Sequence, residues 1–180
     1  GPLRIERTTE APEGDGLSIP PGSAFGSGFH PSTRLLLEVL AERRPTAPVL
    51  DVGSGSGVLA LAAVRLGAPS AAGVEIEPDA RLEAEHNARL NRLASKVRFA
   101  ASIPPDERYP LILANILASE LVELADPLGR ALASGGSLWL SGIAETRWPE
   151  VADTYRRRGY RVLAPRVDQG WCALEVLPSW

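Results

Sequence analysis

Methionine is absent from the 180-residue sequence, cysteine occurs once as Cys172, and lysine occurs once, as Lys96, among nineteen basic residues. No run of some 18 apolar residues exists, which excludes a membrane-spanning helix, and the N-terminus lacks the apolar core of a secretory signal. One cysteine cannot make an internal disulfide, and with only two histidines it leaves no metal-ligand cluster, so no metal is expected. Cys172 lies in WCALEVL, whose alternation reads as a strand, and is expected to be a buried structural thiol. The net charge of −3 argues against a nucleic-acid partner, which needs a strongly basic face. The run Arg156–Arg158 reads as a solvated helix end that complements the helix dipole. Together these absences lead to the expectation of a cytoplasmic chain.

A translated chain begins with Met, so Gly1–Pro2 reads as a tag-cleavage scar. Residues 1–18, polar, aperiodic and holding Pro and Gly, read as linker. Residues 19–180 read as one domain of ordinary composition, with 44% hydrophobic and 23% charged residues over the chain.

What is present is a regular rhythm. Ser32–Thr33 are expected to cap a helix through LLLEVLAERR. Then PVLDVG, AAGVEIE, KVRFA, YPLILANI and SLWLSGI read as strands. Between them GVLALAAVRL, PDARLEAEHNARLNRL, a helix over about 118–132, and then WPEVADTYRRRG read as helices. YRVLAPRV and WCALEVL, joined at Asp168–Gln169–Gly170, read as a closing hairpin. This alternation predicts a doubly wound α/β fold: a mostly parallel seven-stranded sheet, helices on both faces, and a C-terminal antiparallel hairpin.

Three places on this frame carry chemistry. DVGSGSG follows the first strand and opens a helix. Its Gly53, Gly55 and Gly57 let backbone approach a ligand, whereas the dinucleotide fingerprint would need glycine at Val58. Glu75 ends the second strand about twenty residues on, where a carboxylate accepts the hydroxyls of an adenosine ribose; Glu77 reads as a solvated helix cap. Asn115 ends the fourth strand on the same edge of the sheet, where a buried amide serves a ligand or satisfies the loop backbone.

The glycines, Glu75 and Asn115 resemble class I methyltransferases that use S-adenosylmethionine, a Rossmann-like family. AFGSGFHPST before the glycine motif and ANILA after the fourth strand resemble more closely the bacterial ribosomal protein L11 methyltransferase family, over about residues 19–177. That resemblance implies S-adenosylmethionine as cofactor, held by Thr33, Gly53, Glu75 and Asn115. Family members usually carry Asp where Glu75 stands, and an N-terminal substrate-recognition domain that is expected to be absent from this sequence. The wider cofactor set adds Phe25, Gly26, Asp51, Gly55, Gly57 and Ser102. In the segment before the first helix, Phe25 and Phe29 read as a shield over the reactive methyl or as loop packing. His30 reads as a base or a polar loop residue, and His86 as surface.

Asn115 and Ile116 are the expected catalytic pair. A neutral amide oxygen and the Ile116 carbonyl would accept amine N–H bonds and aim the lone pair at the methyl. A carboxylate would instead stabilise the unreactive ammonium. Enzymes that methylate planar nitrogens place two prolines and an aromatic ring after the Asn or Asp. Here Ile116, Leu117 and Ala118 follow, which favours aliphatic amines of a protein substrate, ribosomal protein L11 first. Another lysine-bearing protein, a small-molecule amine, or a cofactor-binding module without catalysis are the alternatives. No nucleic acid or membrane partner is expected.

Overall fold

The computed structural model describes residues 3–22 and 24–179; Gly1 and Pro2, read as a tag scar, lie outside the described residues. The segment read as linker contributes two short parallel strands, β1 (Ile5–Glu6) and β2 (Leu17–Ser18). Leu17 and Ile19 are buried in the core, and the Ser18 N–H donates to Asn91 Oδ1 at 2.8 Å while Asn91 Nδ2 donates back to the Ser18 carbonyl.

α1 spans Pro31–Arg43. Proline at its first position supplies the helical φ, so the cap falls one residue before it, on His30 rather than on Ser32–Thr33. His30 Nδ1 accepts the Ser32 N–H at 3.3 Å, and Ser32 and Thr33 are buried inside the first turn. The alternation then follows with β3 (Val49–Val52), α2 (Val58–Arg65), β4 (Ala71–Val74), α3 (Pro78–Leu90), β5 (Val97–Ala100) and β6 (Tyr109–Asn115). The next helix is not continuous: α4 (Ala118–Glu123) and α5 (Ala125–Ala131) meet at Leu124. Pro127 explains the break, since its ring would clash with the carbonyl of residue 123 in an unbroken helix.

β7 (Leu132–Ala144), α6 (Trp148–Arg157), β8 (Tyr160–Val162), β9 (Arg166–Asp168) and β10 (Trp171–Pro178) complete the chain. The stretch expected as one strand, YRVLAPRV, is two, because Pro165 offers no N–H to the ladder between them. β8 and β9 both pair antiparallel with β10, so the sheet has eight strands rather than seven. Gln169 and Gly170 both take positive φ, 48° and 80°, the pairing a two-residue hairpin turn requires between Asp168 and Trp171.

The order along the sheet is β5-β4-β3-β6-β7-β10-β8, parallel from β5 to β7. Successive residues of a strand face opposite layers. In β6, Ile112 and Ala114 join Leu121, Leu128 and Tyr155 under α4, α5 and α6, while Leu111 and Leu113 join Leu36, Leu40 and Leu61 under α1 and α2. Among the described residues no helix is long and apolar enough to cross a membrane.

Candidate active site

β4 lies on one side of β3 and β6 on the other, so the chain leaves these strands in opposite directions and opens a crevice at their carboxyl ends. The crevice measures about 1050 Å³, and its lining includes Phe25, Gly53, Gly55, Glu75, Ser102, Asn115 and Ile116. The remaining expected cofactor residues, Gly26, Thr33, Asp51 and Gly57, are not among its lining residues.

The glycine turn is shaped by what touches it. Gly53 and Gly55 adopt φ of 75° and 50°; a Cβ on the first would strike the Ile116 side chain, and on the second the Phe25 carbonyl oxygen. The opening segment therefore lies directly on the turn, with the Ser56 N–H donating to the Phe25 carbonyl at 2.9 Å and the Ser56 hydroxyl to that of Gly26. Phe25, 57% exposed, lines the cleft; Phe29, 50% exposed, does not, so of the two rings only Phe25 is placed to shield it.

Glu75 reaches into the cleft from the end of β4. Its Oε2 accepts the Gly55 N–H at 2.9 Å and its Oε1 the Glu77 N–H at 3.0 Å, which fixes the carboxylate and leaves further lone pairs for hydroxyl donors. Asp51 is buried beneath the turn, where Oδ2 accepts the Ala60 N–H at 3.2 Å. Burial pushes its carboxyl up to about 7 and the Glu75 charge acts the same way, against hydrogen bonds from Ser54 and Ala60. It supports the loop from behind.

Asn115 is 7% exposed. Its Nδ2 donates to Thr33 Oγ1 at 3.1 Å, and its Oδ1 has no partner among the described residues. Thr33 is fully buried and reaches the cleft only through this contact. Gly142, at φ 81° on β7, completes the corner: a Cβ there would strike the Ile116 carbonyl oxygen and lie 3.1 Å from Asn115 Oδ1. Ser141 next to it pins α1 to the sheet, its hydroxyl lying 2.9 Å from the Ser32 carbonyl oxygen and 3.1 Å from that of Cys172. Cys172 is itself fully buried, and burial pushes its thiol up, as suits a structural cysteine.

Trp171 and Gly142 line the cleft without having been singled out in the sequence. A glycine inside the apolar run SLWLSGI was the one available signal, since strand glycines mark close backbone approach. His30 also lines the cleft, as helix cap and ring, and His86 is exposed.

A model of the family described as ribosomal protein L11 methyltransferase (PrmA) matches residues 4–177. The chain belongs to this family. The match includes most of the segment read as linker, in keeping with its β1–β2 pair and buried Leu17. The L11 methyltransferase of Geobacter sulfurreducens is 43% identical over 158 residues, 88% of this chain and 53% of that protein. Its counterpart in Chromohalobacter salexigens is 44% identical over 168 residues, 90% of this chain and 56% of that protein. The chain thus spans about half the length of the curated relatives it matches. The solved structure of a ribosomal protein L11 methylase from Lactobacillus delbrueckii subsp. bulgaricus is 30% identical, with a TM-score of 0.82 over 91% of this chain and 86% of that one. L11 methyltransferase family membership and the doubly wound sheet therefore agree.

Proposed function

We propose that the protein transfers methyl groups from S-adenosylmethionine to protein amino groups, lysine side chains or an N-terminal α-amine, with ribosomal protein L11 as the acceptor. A ribosomal acceptor would place the reaction in the cytoplasm. The family relationship supports methyl transfer, and the observation that carries the choice of an amine is Asn115 Oδ1, a buried acceptor with no partner beside the cleft.

The residues present fit S-adenosylmethionine. Gly53 and Gly55 give a side-chain-free cradle, Glu75 presents fixed carboxylate lone pairs to ribose hydroxyls, and among the described residues the lining holds no Lys or Arg to repel a sulfonium. When bound, the cofactor supplies an electrophilic methyl group. The protein must then select a neutral amine, because a lysine with a pKa near about 10.4 is mostly protonated at neutral pH. Asn115 Oδ1 and the Ile116 carbonyl accept the amine N–H bonds and orient the lone pair, and solvent takes the departing proton. An uncharged amide suits this role because it does not hold the acceptor in its ammonium form.

The test pairs calorimetry of S-adenosylhomocysteine binding with intact-mass spectrometry of unmethylated ribosomal protein L11 incubated with S-adenosylmethionine. Binding together with methyl mass increments is the expected result. Binding without increments on L11 or any lysine-rich protein would reject amine transfer, and no binding would reject the cofactor.

A further inference from the structure

Phe25, His30 and Trp171 form one continuous aromatic wall of the cleft. Phe25 meets His30 edge-to-face at 5.3 Å between ring centroids, and His30 meets Trp171 edge-to-face at 4.7 Å. The wall is built from distant parts of the chain: His30 caps α1, and Trp171 follows the β9–β10 turn. Arg34 ties these together, its Nε and Nη2 both donating to Asp168 Oδ2, at 3.1 and 2.5 Å.

The position of the wall separates it from the ribose end of the cleft. Along the sheet edge the lining residues run Ser102, Glu75, Gly53, Asn115, Gly142 and Trp171, following the strand order β5-β4-β3-β6-β7-β10. Glu75 and Trp171 are four strand spacings apart, on the order of 19 Å. A cofactor with its ribose at Glu75 and its methyl at Asn115 leaves the β7–β10 end for the acceptor.

The chemistry of the lining points to a cation. Among the described residues it holds five carboxylates, Glu75, Glu77, Asp79, Glu120 and Glu123, and no Lys or Arg. His30 is held in the wall by its role as helix cap, Nδ1 accepting the Ser32 N–H at 3.3 Å. The imidazole acts as a ring in the wall.

We propose that this wall is the acceptor subsite, with Trp171 presenting its π-face to the alkylammonium group that methyl transfer creates. The proposal rests on the amine-methylating reading above. In the transfer the amine lone pair forms the N–C bond, the C–S pair returns to sulfur, and the positive charge moves from sulfur to nitrogen. An aromatic face beside the nitrogen is therefore favourable to the product-like charge and nearly indifferent to the neutral amine, which is the differential binding that lowers a barrier. The new ammonium then loses a proton to solvent before any second transfer.

The probe is Nε-trimethyllysine amide, compared with its neutral carbon isostere, in which a tert-butyl group replaces the trimethylammonium. Both are titrated by NMR with and without S-adenosylhomocysteine. We expect the charged probe to bind about tenfold more tightly, with the preference lost in Trp171→Leu and largely kept in Trp171→Phe. Equal affinities for the two probes, or a preference that survives Trp171→Leu, would overturn the assignment. Because discrimination is read without cofactor as well, failure to bind S-adenosylhomocysteine would count against the proposed function and leave the wall to be judged by the probes.

Discussion

The Asn115 side-chain nitrogen donates to the Thr33 hydroxyl at 3.1 Å across 82 residues of sequence, and this contact leaves the amide oxygen as the end without a partner. On the proposed amine-orienting role of Asn115, Thr33 is a positioning residue that acts through it. Thr33→Val removes the acceptor and leaves a buried N–H unsatisfied, so the amide loses its fixed orientation. We expect kcat on the acceptor to fall by about tenfold or more, with KM changed less, and Thr33→Ser to restore most of it. Steady-state kinetics of the three proteins check this; an unchanged kcat in Thr33→Val, or a loss in Thr33→Ser as large as in Thr33→Val, would mean that the hydroxyl is not what positions Asn115.

Glu75→Ala strips a carboxylate from the ribose end of the cleft and also frees the Gly55 N–H. Affinity for S-adenosylhomocysteine should drop by more than about 1 kcal/mol, roughly fivefold or greater, since charge-assisted hydrogen bonds are lost. Calorimetric titration reads the change directly, and an unaltered dissociation constant would move the ribose elsewhere.

Gly142→Ala places a Cβ against the Ile116 carbonyl in a left-handed backbone conformation. Both penalties act at once, so unfolding free energy should fall by about 2 kcal/mol or more, with activity lost through displacement of Ile116 and Asn115. Gly135→Ala is the control: it also has positive φ, 70°, but open space around its Cβ, and should cost only about 1 kcal/mol. Denaturant titration of both variants separates strain from collision.

Asp51 titrates at about 7 in the fold against 3.8 for its ordinary value, so the native state holds its proton more tightly than the unfolded chain does. Stability contributed at this position is therefore highest below about pH 4 and declines as pH rises through 7. Asp51→Asn removes the titration. The stability of the variant relative to the unsubstituted protein should rise between pH 4 and pH 7.5, by on the order of 1–3 kcal/mol. A difference that stays flat across that window would place the Asp51 titration elsewhere.

The frame of this site was legible in sequence because each part is local. The glycine turn after β3, Glu75 after β4 and Asn115 after β6 are separated by segments whose period reveals strand or helix, so the motifs can be placed on one edge of a parallel sheet. Prolines caused the misplacements. Pro31 moved the cap of α1 to His30 by supplying the helical φ at the first position, Pro127 split the fourth helix through a ring clash and Pro165 split the penultimate strand through a missing N–H, and hydrophobic spacing registers none of these. In the segment read as linker, polar composition hid Leu17, an apolar residue that packs in one core cluster with residues of α1 and α2.

What the sequence by itself determined is the doubly wound sheet and the three strand-end positions that face its crevice, since strand and helix periods and short motifs are set by neighbours along the chain. Only the tertiary structure decided which residues complete the site. Thr33 meets Asn115, Gly142 makes room for the Ile116 carbonyl, and Trp171 stands beside His30 because β7 and β10 pair antiparallel, Ser141 binds α1 to β7 and Arg34 binds it to Asp168 at the end of β9. Those contacts join residues dozens to more than a hundred positions apart, and no local pattern encodes a meeting that depends on how whole elements pack.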